Sequence, residues 1–151
     1  MNAPLARFQP QDPQFATRVR ASFGRQKAMA LIGASLAVVE PGYVEVRLPF
    51  RDDLTQQKGY VHGGILGMIC DSACGYAAFS LMPANCSLVT VEYKINILNP
   101  AVGELVARGE VVKPGRSLTV TRGDVHAADG THVASMQQTL LMLAGTPDSP
   151  A

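Results

Sequence analysis

The hydrophobic and polar positions of this chain fall into stretches of two different periods. Phe15, Val19, Phe23 and Ala30 recur at helical spacing behind Asp12-Pro13, an N-cap followed by proline. That predicts an amphipathic helix from there to about Ala30. Residues 31–39 read as a strand ending at the turn Glu40-Pro41-Gly42, and residues 43–49 alternate with period two as the second arm of a hairpin. Residues 51–60 form a polar loop. From Gly63 to about Leu81 the chain has little polar face, which predicts a helix enclosed by other structure, ended by Pro83-Ala84-Asn85. Four strand candidates follow, at 87–98, 103–113, 117–127 and 131–143. In the first, Val89, Val91, Tyr93, Ile95 and Ile97 share one face, and Thr90, Glu92, Lys94 and Asn96 the other. The links between these strands are short (Asn99-Pro100, Pro114-Gly115-Arg116, Ala128-Asp129-Gly130) and favour antiparallel neighbours.

The order of helix, two strands, long helix and four strands predicts an α+β fold of one layer pair. A single antiparallel sheet has to wrap the long helix to cover its apolar circumference. No internal repeat and no long linker divides the 151 residues, so a single domain over 1–151 is expected, with 1–12 and 144–151 as frayed tails.

Composition adds mainly exclusions. A net charge of +1, with Arg and Lys scattered, provides no field for a nucleic-acid backbone or an anionic membrane. Recognition of an anionic substrate would have to be local. The apolar stretch 61–82 carries His62, Asp71 and several glycines, so it reads as a buried helix rather than a membrane span. Three cysteines behind a polar, proline-rich N-terminus argue against a disulfide framework, and a cytoplasmic protein is expected.

Candidate chemistry gathers in the long helix. Asp71 is the only charged residue between His62 and Met82, and a carboxylate in an apolar helix is costly unless something uses it. It is either a satisfied core acid, bonded to groups such as Ser72 and Thr90, or a desolvated base or nucleophile. Gly63 and Gly64 open the helix. They either let another backbone pack closely or let a carbonyl approach free N–H groups at the positive end of the helix dipole. His62 is a proton carrier or a residue that orders the loop, and the second reading is preferred. Gln56 is by default a solvated loop residue. Cys70 and Cys74 lie one helical turn apart but have no partner at ligand spacing, so they read as core packing, and no metal site is expected.

Gly59-Tyr60-Val61-His62-Gly63-Gly64, with Asp71 nine residues after the histidine, resembles the hotdog-fold thioesterases of the phenylacetate-pathway type. The run from Val91 to Ala101 is similar to that family's central strand, and Lys113-Pro114-Gly115-Arg116-Ser117-Leu118 to its following turn. The resemblance spans residues 29–143. It implies a hotdog fold and hydrolysis of acyl-coenzyme A thioesters, with coenzyme A as part of the substrate and no metal or redox cofactor. It also implies a homodimer or dimer of dimers with active sites at the subunit interface. One subunit would supply Asp71, as nucleophile or general base. The other would supply the loop and helix start, where the Gly63 N–H binds the thioester oxygen, Gly64 keeps the approach open and Gln56 assists. Thr90 would orient the attacking water. Beside the resemblance, Lys113 and Arg116 near the following turn are either contacts for the coenzyme A phosphates or ordinary solvated cations. This branch usually carries asparagine six residues before the histidine, where this chain has Gln56. Hotdog thioesterases of the hydroxybenzoyl type pair glutamine there with glutamate at the acid, so this chain combines glutamine with aspartate. Two rival readings share the ligand: an acyl-thioester dehydratase or hydratase, and a non-catalytic acyl-CoA sensor.

Overall fold

A computed structural model describes residues 7–149. Helices α1 (Phe15–Gly24) and α2 (Lys27–Ile32) lead into strands β1 (Ser35–Glu40) and β2 (Tyr43–Leu48). A single 3-10 turn (Asp52–Leu54) precedes the long helix α3 (Gly63–Phe79). Strands β3 (Cys86–Ile97), β4 (Leu105–Lys113), β5 (Leu118–Ala127) and β6 (His132–Ala144) complete the chain. All six strands form one antiparallel sheet in the order β1-β2-β4-β5-β6-β3, wrapped around α3 as the pattern predicted.

The helix seats on the sheet through glycines. Gly109 on β4 and Gly123 on β5 are cross-strand partners beneath the middle of α3. A Cβ on Gly109 would fall 2.3 Å from the carbonyl carbon of Ala73, and one on Gly123 would fall 2.5 Å from Cys70 Sγ. Only side-chain-free positions permit so close an approach. The remaining contact is apolar: Leu66, Ile69, Ala73 and Ala77 of α3 are buried with Val44, Val46, Leu105, Val125 and Leu140 of the sheet.

Several boundaries differ from the sequence reading. The first helix is two helices. Asp12 Oδ1 accepts from the Gln14 N–H, so helical geometry begins only at Phe15, and extended backbone at Gln26 separates α1 from α2. Gly33, left-handed at φ 76°, caps α2, which delays β1 to Ser35. The link 98–104 does not join neighbours either. β5 and β6 lie between β3 and β4, and the link instead passes under the start of α3, where Ala101 is buried and its carbonyl accepts from the Val61 N–H. The expected frayed tails also pack. Phe8 lies against Gly42 and Leu81, Asp12 pairs with Arg18, and Asp148 pairs with Arg25 of the chain after α1. Residues 1–6 and 150–151 of those tails lie outside the described residues.

Strand β3 departs most from simple alternation. Its register with β6 slips between Thr90 and Glu92, so Val91 is a bulge residue. Before the bulge the even positions face the helix: Leu88 packs on the core and Thr90 reaches Asp71. After it the odd ones do, since Tyr93 lies over Gly67, Ile95 packs on the core and Ile97 lies over Gly63. One strand thereby sends both a hydroxyl and an apolar row to the same side. β3 is also an edge strand, and much of its apolar content stays uncovered: Val91 is 55% exposed and Tyr93 45% exposed.

Candidate active site

The loop before α3 folds on itself to present the helix start. Thr55 bridges Val61, the Gln56 N–H donates to Tyr60 O, and the Gly59 N–H returns to Gln56 O with Gly59 at φ 81°. The Gln56 side-chain carbonyl accepts from the Lys58 N–H, which leaves its NH2 group as the free donor of that amide. Gln56, Tyr60, Gly63 and Leu66 then line one cleft of about 350 Å3 with Ile97, Asn99 and Pro100. The loop and the helix start predicted to act together do meet.

His62 is the N-cap of α3. Its Nδ1 accepts from the Gly64 N–H at 2.9 Å, so the ring proton sits on Nε2. This bears on Gly64, which was expected to keep the approach open. Its N–H is already committed, and its missing side chain serves the cap, because a Cβ there would stand 3.1 Å from His62 Nδ1. The Gly63 N–H is the donor that remains without an acceptor among the described residues, at the positive end of α3. His62 thus orders the helix start rather than Gln56, whose side chain turns to Lys58.

Asp71 sits two turns further along α3, half-buried. Its Oδ1 accepts from Thr90 Oγ1 at 2.8 Å and from Gln138 Nε2 at 2.6 Å. Gln138 Nε2 also donates to Thr90 Oγ1 at 3.0 Å, closing a triangle. Oδ2 has no partner among the described residues. Ser72, named with Thr90 as a possible partner, instead donates to Gln26 Oε1 at 3.4 Å. Asp71 and Thr90 line a cleft of about 110 Å3 with Ser22, Gln26, Ser72, Tyr76, Phe79 and Leu88 among others. Ser22 and Tyr76 share a buried hydroxyl–hydroxyl bond of 3.0 Å on its wall.

Gln138 escaped the sequence reading. It is fully buried on β6, and its Oε1 has no donor, which costs a protein about 1–3 kcal/mol. A signal was present, since Met136, Gln138 and Leu140 alternate as one buried face with a single polar member. Ser22 and Gln26 of the N-terminal segment were missed because nothing local ties them to residue 71.

The acid and the helix start do not meet within this chain. Eight residues of helix set Asp71 roughly 12 Å from Gly63 along the axis, and the two line different clefts. Arg116 lines a third cleft with Ala78, Leu81 and Met82 at the far end of α3, next to Lys113 on the β4–β5 turn. Neither basic residue is brought to the acid or to the helix start of the same chain. Cys70 and Cys74 are buried against Gly123. The neighbouring Cys74 thiol, and then burial, push the Cys70 thiol above its ordinary range. Among the described residues no group of three or more His, Cys, Asp or Glu could hold a metal ion, and no helix is long and apolar enough to cross a membrane.

Known proteins share this fold. The family model described as "Thioesterase superfamily" matches residues 58–134, which hold the helix start, Asp71 and Thr90. A crystal structure of a thioesterase family protein from Silicibacter pomeroyi is 48% identical and superposes with a TM-score of 0.84, covering 87% of this chain and 99% of that one. The E. coli PaaI protein of the phenylacetic acid degradation operon shares the fold at a TM-score of 0.82 and 19% identity, covering 90% and 98% of the two chains. The smu.793 protein of Streptococcus mutans, solved bound to acetyl CoA, gives a TM-score of 0.68 at 25% identity over 76% and 91%. Wrapped helix, capped glycine start and braced acid together with these matches show that this chain belongs to the Thioesterase superfamily and is a thioester hydrolase of hotdog fold.

Proposed function

We propose that the protein hydrolyses an acyl- or aryl-coenzyme A thioester to the carboxylic acid and free coenzyme A, in a homodimer or dimer of dimers whose sites are shared between subunits. The observation that carries the reading is the split of the machinery along α3. The free donor lies at Gly63, the acid roughly 12 Å away at Asp71, and the uncovered edge of β3 runs beside both.

Symmetry makes the split productive. Tyr93 lies over Gly67, midway between Gly63 and Asp71 on the helix. A two-fold axis at that level, pairing two β3 edges, would set the two α3 helices antiparallel. The helix start of one subunit would then stand opposite the acid of the other. The exposed side chains of Val91, Tyr93 and Ile97 would be covered by the same contact.

In the resulting site the thioester oxygen lies on the Gly63 N–H, with the helix dipole and the Gln56 amide beside it. Asp71 Oδ2 either removes a proton from water as it attacks the carbonyl carbon or attacks that carbon itself. The C–S bond then breaks, and the electrons leave on the coenzyme A sulfur, which takes up a proton; the acid is released at once in the first scheme, and in the second when water cleaves the acyl anhydride formed on Asp71. Water supplies the elements of hydrolysis in either scheme. Arg116 and Lys113 are the local cations for the phosphates. The acetyl CoA bound to the Streptococcus mutans neighbour supports this ligand class.

The test is thiol release from a panel of acyl-CoAs, followed by a mixing experiment. Asp71→Asn and Gly63→Pro are each expected to be nearly inactive. After subunit exchange they should regain roughly a quarter of the wild-type sites, because one site of each mixed dimer is intact. No recovery in exchanged dimers sinks the shared site. Tight acyl-CoA binding without any hydrolysis makes the protein a sensor, and water addition or loss on an enoyl or hydroxyacyl thioester makes it a hydratase or dehydratase.

A further inference from the structure

We propose that Gln138 is a positioning residue for Asp71: it holds the carboxylate by one oxygen and aims the Thr90 proton, so that the other oxygen alone faces the thioester. The inference rests on the reading of Asp71 as the reacting group.

Counting protons fixes the arrangement. Gln138 Nε2 carries two, and its neighbours are Asp71 Oδ1 at 2.6 Å and Thr90 Oγ1 at 3.0 Å. Thr90 therefore accepts from Gln138, and its single proton is left to donate to Asp71 Oδ1 at 2.8 Å. Turning the amide over would place its carbonyl oxygen against a carboxylate and a hydroxyl already committed as a donor, so the carboxylate itself dictates the orientation. Every donor in the triangle is spent, and both bonds to Asp71 end on Oδ1. The Thr90 proton is consequently spent on Asp71, and one acceptor lone pair of Oγ1 is left for water.

The orphaned Oε1 separates this role from packing. Gln138 is wholly buried between Met136 and Leu140 on the inner face of β6, where an apolar side chain of the same length would leave nothing unpaired. A residue kept only to fill the core would be better replaced by methionine. The amide is accounted for by what its nitrogen does to the acid.

The experiment compares Gln138→Met, a near-isostere, and Gln138→Leu with the wild type in thermal melting and in steady-state thiol release. The expected result is a Tm equal to or above wild type, an unchanged KM, and a kcat lower by about ten- to a hundredfold. Added to Asp71→Asn, Gln138→Met should cause no further loss, since both act through the same carboxylate. An unchanged kcat in a variant that folds overturns the inference while leaving Asp71→Asn as the test of the catalytic acid. A further loss on top of Asp71→Asn overturns it too, because Gln138 would then act elsewhere. Failure of both variants to fold makes Gln138 a structural residue and also overturns it. A wild type that hydrolyses no thioester removes instead the functional reading beneath.

Discussion

At the start of α3 a donor is left unpaired on an open cleft, whereas eight residues further along both donors that reach Asp71, from Thr90 and Gln138, end on one of its oxygens. The helix start is made from backbone and is ordered by one side chain, His62. The acid centre is made from side chains on three separate elements, α3, β3 and β6. The difference follows from what the proposed reaction asks of each. A carbonyl must be able to enter and leave, so its receptor has to be exposed and preformed. A half-buried carboxylate must be held in one direction, so it has to be braced from behind and left free in front. Preorganised donors of the first kind act where charge develops, and a fixed base of the second kind acts where a proton or bond moves.

The largest effect should come from the braced side. Asp71→Asn removes the oxygen proposed to react and keeps the shape, and turnover should fall by about 10²–10⁴-fold with the fold and the proposed oligomer intact, read by thiol release and light scattering. An unchanged rate would remove Asp71 from the mechanism and reverse the comparison. On the open side Gly63→Pro is the cleanest probe. Proline suits the first helical position but has no N–H, so α3 should survive while kcat drops by about 10²–10³-fold. A proline variant with wild-type kcat would mean that the oxyanion is received elsewhere.

His62→Ala should act mainly on stability. Losing an N-cap costs about 1 kcal/mol, or a Tm lower by roughly 2–4 °C at this size, with kcat reduced by less than the proline variant. A loss as deep as that of Gly63→Pro would make His62 a proton carrier rather than a cap. The smallest effect belongs to a region outside both halves. His126 stacks on His132 at 4.6 Å, its Nδ1 is buried without a partner, and burial first, then the charges of Arg108 and His132, hold its pKa below the ordinary value. The unfolded chain therefore binds this proton first as pH falls. The stability it contributes is complete above about pH 6.5 and is lost below it. Melting from pH 5 to 8 should show a flatter acid limb in His126→Gln. The pH–rate curve of that variant should keep its shape, which separates titration of the fold from titration of the site.

Much of this was legible in the chain, and the reason differs by element. The glycine start, the histidine before it and the acid at nine residues are local spacings on one helix, and a helix converts spacing into geometry directly. Thr90 was legible only as a candidate. Strict alternation put it on the face opposite Tyr93, and the bulge at Val91 brought both to the helix side. Gln138 carried a faint mark, one polar residue in an apolar face, but nothing in β6 says which residue 67 positions earlier it will meet. That the Gly64 N–H goes to a cap was not legible, because only the position of the His62 ring decides it. The break between α1 and α2 had a local signal in Gly24, the last residue of α1, but an apolar spacing that runs on to Ala30 passes over it.

By itself the sequence determined the enclosed helix, the six strands, their antiparallel character and the residues of the helix start, because period and turn chemistry act over a few residues. Tertiary structure decided the strand order, with β3 beside β6 instead of β4, and with it the partners of the acid. Those depend on which hydrogen-bonding edges remain free once the sheet has closed around α3. Pairing between edges is a non-local property that no short stretch of chain contains.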